Sequence, residues 1–140
     1  MHNETAANKE LLRRFYKKVY VDWDMAFADE VLSPHFVSHD WPEGLSGPKA
    51  FRGYYASILS TVPDGRYEVD DLIAEDDKVV VRWRLVGTQT GEFRGIPPSG
   101  RAIVLKGIAI YRVEDAKLME RWVVTDLHGV LEQIRGASAS

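Results

Sequence analysis

Among the residues able to move a proton, Asp126 has the most telling setting, because it closes the largely apolar run Trp122-Val123-Val124-Thr125 and is followed by Leu127. A carboxyl group deprived of water prefers its neutral form. Burial among Trp122, Leu127 and their neighbours would raise its pKa toward that of an acidic C–H group and make it a general acid/base. Aspartate is also a favoured helix N-cap, and Asp126 stands directly before Leu127-His128-Gly129. Both roles are open. The second candidate is His39, within Phe36-Val37-Ser38-His39-Asp40-Trp41. It would donate a hydrogen bond to an enolate or orient a carbonyl, or else lie half-buried against backbone. In an extended segment Asp40 points away from His39 and does not set its proton state. His35 and His128 read as surface or helix-end residues, and His2 as part of a mobile terminus.

No metal or cofactor is expected. His35 and His39 are four apart, but Pro34 and the extended reading deny them the shared face of a helical zinc site. Gly91, Gly95 and Gly100 match neither dinucleotide nor P-loop spacing, and no βαβ unit surrounds them. Ser99 has no base nearby in sequence and is a poor nucleophile. Ligand binding is expected from aromatic side chains, since four tryptophans in 140 residues suit a cavity for a flat, largely apolar molecule. Trp41 and Tyr55 lead this lining set, completed by Phe15, Phe51, Trp83 and Trp122.

The elements that must position these residues follow from periodicity. Thr5 is placed to cap a helix with Ala7, Leu11, Phe15 and Val19 on its apolar side, and Asp24 to cap a shorter one that stops near Ser33, ahead of Pro34. A short strand over 36–40 follows. Pro48 opens a third helix carrying Phe51, Tyr54, Tyr55, Ile58 and Leu59, ended by the turn Pro63-Asp64-Gly65. From Arg66 the period becomes two. Tyr67, Val69 and Asp71 alternate with Glu68, Asp70 and Leu72 up to the turn at 75–77. Over 79–88, Val79, Val81, Trp83 and Leu85 form an apolar side, and Arg82 and Arg84 belong to the outer side. Strands over 102–113 and 118–126, joined by a hairpin at 114–117, precede a final helical pattern with Val130, Leu131 and Ile134. This order describes one α+β domain over 1–136, an antiparallel sheet curled around packed helices, with a frayed tail at 137–140. The outer side of the sheet is where a second subunit is expected, as a homodimer or homotetramer.

Composition limits the partners. A formal charge of −3 provides no basic field for nucleic acid or an anionic membrane, and no stretch approaches the length of a membrane span. The absence of cysteine excludes disulfides and thiolate chemistry, in keeping with a cytoplasmic, unprocessed, soluble protein.

Several phrases resemble a known family: Leu72-Ile73-Ala74-Glu75, Arg82-Trp83 with Gly87-Thr88, Gly91-Glu92-Phe93 with Gly95-Ile96-Pro97-Pro98, Gly107 with Ile110-Tyr111-Arg112, and Trp122 with Asp126 and Gly129. They are similar to the SnoaL-like polyketide cyclases of the nuclear-transport-factor-2-like superfamily, and the likeness runs from the first helix to Gln133. It implies a cone-shaped α+β barrel and a cofactor-independent intramolecular aldol cyclisation of a hydrophobic polyketide-like substrate. The family's acid/base aspartate falls on Asp126 and its histidine on His39. A second histidine of characterised cyclases has no counterpart, since the matching strand offers Ile108, Ala109 and Ile110. The alternatives are a ketosteroid-isomerase-like or epoxide-hydrolase-like activity, or a non-catalytic small-molecule-binding dimer. For the hydrolase an arginine beside Asp126 would be wanted, and Arg121 should face the opposite side of its strand.

Overall fold

Apolar residues spaced by three and four make the first helix, α1 (His2–Tyr20), in the computed structural model, which describes residues 2–136 with side chains from residue 4. The tail expected at 137–140 and the side chain of His2 lie outside the described residues. Helix α1 begins ahead of Thr5, and Ala7, assigned to its apolar stripe, is exposed. Its buried face is Leu12, Phe15, Tyr16, Val19 and Tyr20, so two tyrosines widen the expected stripe. Helix α2 (Met25–Val31) is capped as its sequence predicts, the Phe27 N–H donating to Asp24 Oδ1 at 3.0 Å.

The chain passes directly from α2 into β1 (Leu32–Ser38). The strand expected over 36–40 therefore starts earlier, stops at Ser38 ahead of a turn at 39–40, and includes Pro34, which an edge strand tolerates because its missing N–H breaks no central ladder. Helix α3 (Gly47–Thr61) follows. Gly47 has φ +80°, and a Cβ there would stand 2.6 Å from the Pro34 carbonyl oxygen, so the loop after β1 closes only on glycine. The turn after α3 is held by Asp64, whose carboxylate accepts from the Thr88 N–H at 2.8 Å and the Thr88 hydroxyl at 2.9 Å. These two hydrogen bonds lower its pKa.

Four long strands complete the sheet: β2 (Arg66–Glu75), β3 (Lys78–Thr88), β4 (Ala102–Glu114) and β5 (Lys117–Thr125), before the final helix α4 (Leu127–Arg135). The spatial order is β1-β5-β4-β3-β2. All neighbours are antiparallel except β1 and β5, which pair in parallel, as the long connection between them through α3 and three strands permits. The sheet is curved and open, with β1 and β2 as its edges, rather than a closed barrel. In β2 the alternation expected to continue through Asp71 is reset by a bulge. Val69 pairs with Trp83 and Asp71 with Arg82, so Asp70 is the extra residue and Leu72 and Ala74 turn inward in place of Asp71.

Helix α1 packs on β2 and β3, α3 on β1, and α4 on β4. The covered side of the sheet carries Val79, Val81, Trp83 and Leu85 from β3 and Ile103, Ala109, Tyr111 and Val113 from β4, all buried. Opposite Trp83 in the β3/β4 register stands Gly107, and a Cβ at that position would overlap the indole. The indole occupies the space that any larger side chain at position 107 would need. Gly107→Ala should therefore lower stability by about 1–3 kcal/mol, the usual cost of overpacking, as measured by urea unfolding. An unchanged midpoint would show that the indole has somewhere else to go.

Candidate functional site

The covered face of the sheet does not fill completely. Between it and helices α1 and α3 lies a cavity of about 100 Å³, whose polar lining includes Tyr16, Tyr20, Asp40, Tyr67, Tyr111 and Arg121. Strand alternation explains each position. Arg121 is paired with Tyr111 across β4 and β5 and with Ser38 across β1 and β5, so all three point to the same side. Tyr16 and Tyr20 are four apart on α1 and reach the same space from above.

Arg121 organises the polar end. Its Nε–H donates to Ser38 Oγ at 2.9 Å and an Nη1–H donates to the Tyr20 hydroxyl at 3.2 Å. The Ser38 hydroxyl in turn donates to Asp40 Oδ1. The guanidinium carbon is 5.9 Å from the ring centres of Phe36, Trp41 and Tyr111, within cation–π range. Desolvation opposes the charge, the nearby Tyr20, Tyr111 and Tyr16 oxygens favour it, and the balance lies above the ordinary arginine value. It remains a cation under all working conditions.

The phenols, by contrast, stay neutral. Burial raises the pKa values of Tyr16, Tyr20, Tyr55 and Tyr67, and where the Arg121 charge lowers them it does so by less. Tyr16 and Tyr111 share a hydroxyl–hydroxyl hydrogen bond of 2.9 Å, and the Tyr55 hydroxyl donates to the Val19 carbonyl at 3.1 Å. The cavity thus offers a fixed cation and neutral hydrogen-bonding groups. Among its described lining residues the one carboxylate is Asp40, which is exposed to solvent at the cavity's edge. This combination can stabilise an enolate or alkoxide oxygen beside a base.

The expected burial of Asp126 is not met. It is exposed, and its Oδ1 accepts from the Gly129 N–H at 3.0 Å, which is the helix-capping role on α4. It borders the outer side of the sheet together with Asp70, Arg82, Arg84, Lys106 and Val124. His39 also lies outside the cavity. Its ring stacks on Trp122 with centroids 5.0 Å apart, and its Nε2 is 3.7 Å from Glu120 Oε1. Strand β1 ends at Ser38, and His39 and Asp40, both exposed, lie in a turn closed by the Trp41 N–H donating to the Ser38 carbonyl at 3.0 Å, which sends the His39 ring to Trp122 and leaves the Asp40 carboxylate at the cavity's edge.

Of the expected lining residues, Tyr55, Phe51 and Trp83 do border the cavity. Phe15 is core behind them, and Trp41 is buried against Phe36 and stacked on Tyr54. Trp122 is on the outer side under His39. Sequence reasoning missed Asp40, Arg121 and the phenols of Tyr16, Tyr20, Tyr67 and Tyr111. One signal was available: Arg121 alternates in phase with Val123 and Thr125, and the tyrosines of α1 flank its apolar stripe. Among the described residues, no three His, Asp or Glu side chains converge on a metal-sized site, and no helix is long and apolar enough to cross a membrane.

Comparison with known proteins gives a consistent picture. The family model for SnoaL-like polyketide cyclase matches residues 10–134. TsrD from Streptomyces laurentii is 32% identical, with 92% of this chain and 95% of that chain covered and a TM-score of 0.82. A protein from Acidithiobacillus ferrooxidans named for polyketide cyclase activity is 25% identical, covering 94% of this chain and 96% of its own, with a TM-score of 0.83. AclR from Streptomyces galilaeus, named for hydroxylase activity, is 24% identical over 94% of this chain and 83% of its own, with a TM-score of 0.80. At that identity the last likeness speaks to the nuclear-transport-factor-2-like fold alone. No curated protein matches the chain.

The raised phenol pKa values have a consequence at high pH. Between the unfolded tyrosine value of about 10 and the higher folded value, the unfolded chain releases protons that the native state keeps. Stability is fully present below that window and falls as pH rises through it. In an alkaline titration, phenolate absorbance from Tyr16, Tyr20, Tyr55 and Tyr67 should appear together with loss of the far-ultraviolet circular dichroism. Early, reversible ionisation of all tyrosines in a folded protein would contradict the packing described.

Proposed function

Because the chain belongs to the SnoaL-like polyketide cyclase family, we propose that it closes a ring in a polycarbonyl, polyketide-like substrate by intramolecular aldol chemistry at the Arg121 cavity. The observation that supports this reading is the continuous contact from the Arg121 Nε–H through Ser38 Oγ to the Asp40 carboxylate, at the edge of a cavity lined by rings. Asp40 takes a proton from a carbon flanked by two carbonyls. The enolate oxygen lies against the Arg121 guanidinium and the neighbouring phenol hydroxyls. The enolate carbon then attacks a carbonyl carbon further along the same molecule, a C–C bond forms, and the C=O π pair becomes an alkoxide. The proton held by Asp40 returns to that oxygen. Substrate and product contain the same atoms, so the reaction requires neither oxidant nor reductant.

In this reading the proton carrier is Asp40, and Asp126 acts by holding α4 in place. The same cation and carboxylate would also serve a proton-transfer isomerase, and product analysis separates the two. Asp40→Asn and Arg121→Met should each lower kcat on a poly-β-ketone by about 10²-fold or more. Arg121→Lys should recover part of the loss. Asp126→Asn retains an oxygen for the Gly129 N–H and should leave turnover intact, whereas Asp126→Ala should cost about 1 kcal/mol of stability. A silent Asp40→Asn beside a dead Asp126→Asn would return the acid/base role to Asp126.

The outer sheet face supports a second copy as partner. Val124 is 76% exposed and Ile108 50%, and the Arg82 and Arg84 charges beside them are already matched within the sheet. Arg84 bonds both Asp70 oxygens at 2.8 and 3.0 Å, and Arg82 bonds Asp71 at 2.6 Å. The hydrogen bond from Arg84 lowers the Asp70 pKa. Guanidiniums paired within the face can be covered without being stranded, which suits a self-complementary interface. Val124→Glu should convert the assembly to monomer in light-scattering measurements, and a monomeric parent protein would refute the interface.

A further inference from the structure

A second cavity, of about 120 Å³, lies under α4 and is lined by Val62, Leu85, Phe93, Ile103, Val130 and Ile134, among others. Two residues, Ile58 and Leu105, border both this space and the Arg121 cavity. A side chain that lines two cavities stands between them. The elements confirm the direction: the lining passes along β3 from Trp83 to Leu85, along β4 from Tyr111 through Leu105 to Ile103, and along α3 from Tyr55 through Ile58 to Val62. Eight residues of β4 separate Tyr111 from Ile103, which is a span of roughly 27 Å at the rise of a strand.

Polarity changes sharply along that line. The first chamber holds the cation, the carboxylate and the phenols, whereas the second is walled mainly by hydrocarbon, with Ser57 and Thr61 on its α3 side. Its one buried polar side chain, Gln89, is fully occupied: its amide nitrogen donates to the Gly91 and Pro97 carbonyls at 2.7 and 3.3 Å, and its amide oxygen accepts from the Ser99 N–H at 2.9 Å. It therefore spends its amide on the 91–99 loop, and the Thr61 hydroxyl is likewise engaged, donating to the Glu92 carbonyl at 3.2 Å. The roof is equally fixed. Gln133 on α4 receives the Val104 N–H at 2.7 Å and donates to the Val104 carbonyl at 3.0 Å. An apolar space of this order, near 150 Å³, stays dry and accepts a benzene-sized guest.

We infer that the substrate is amphipathic, with its reacting carbonyls at Arg121 and a hydrocarbon tail of several carbons passing between Ile58 and Leu105 into the chamber under α4. The inference rests on the cyclase reading for the identity of the head group. The tail pocket stands on its own geometry. Phe93, at the far end, sets how much tail is accepted, and Leu105 sets whether it enters.

Calorimetric titration with a homologous series of linear alkyl β-diketones, from acetylacetone upward, tests this on the whole protein without requiring turnover. Affinity should rise about fourfold per added methylene, as expected for burying a CH₂ group, and level off once the second chamber is full. Phe93→Trp should bring that plateau to shorter chains while acetylacetone binds as before. Leu105→Phe should weaken the long members more than the short ones, and Leu105→Met should restore them. A flat series in the parent protein, or a rising series that ignores both Phe93→Trp and Leu105→Phe, would overturn the tail pocket. If instead the methylene increments persist but Arg121→Met leaves every affinity unchanged, the tail pocket stands and the assignment of the head group to Arg121 fails.

Discussion

Arg121 carries a permanent charge into a space walled by aromatic rings, and the surrounding structure has to solvate it. An isolated ion in such a place costs several kcal/mol, and each hydrogen bond to a charged group returns about 1.5–3 kcal/mol. Ser38, Tyr20 and the π faces of Phe36, Trp41 and Tyr111 share that task, and they come from β1, α1, β4 and the loop after β1. Removing any of these elements leaves the guanidinium partly unsatisfied. The site is thus also a knot that ties the N-terminal helix and the edge strand to the last strand of the sheet.

None of these partners is a carboxylate in direct contact, and this has chemical meaning. A guanidinium saturated by Asp or Glu would be a structural ion pair with little left to offer a ligand. Neutral hydroxyls leave its field largely uncancelled, and Asp40 is held one serine away at the cavity's edge. Under the proposed cyclisation, a developing oxyanion would meet a positive potential already in position. The phenols reinforce this arrangement because burial keeps them protonated and hence able to donate.

The far end of the molecule is built by different means toward the same end. Asp126 stops β5 and caps α4, Gln133 ties α4 to β4, and Gln89 secures the loop carrying Phe93. All three spend their polar atoms on backbone groups. Their work leaves hydrocarbon facing the second chamber, which is why polar residues prominent in the sequence contribute an apolar surface. The Asp126 carboxylate, conspicuous beside Trp122 and Leu127, is a case of a residue whose local setting suggests burial while its cap geometry demands exposure.

Much of this was legible from the chain alone. The helices, the change to period two at Arg66, the outward Arg82 and Arg84, the hairpin at 114–117, the cap at Asp24 and the opposed directions of Arg121 and Asp126 all follow from local rules of spacing and dihedral preference. The bulge at Asp70 and the early start of β1 did not, because each depends on what the partner strand presents. The choice of site depended on the same kind of information. Alternation fixes that Arg121, Val123 and Thr125 oppose Trp122 and Val124, but both sides of β5 are similarly apolar in sequence, and the turn that ends β1 at Ser38 and directs His39 and Asp40 is not announced by any local pattern. Which side becomes the interior is decided only when α1 and α3 settle on one face of the curved sheet, since a strand's period sets the relative direction of its side chains and never which of the two directions loses its water.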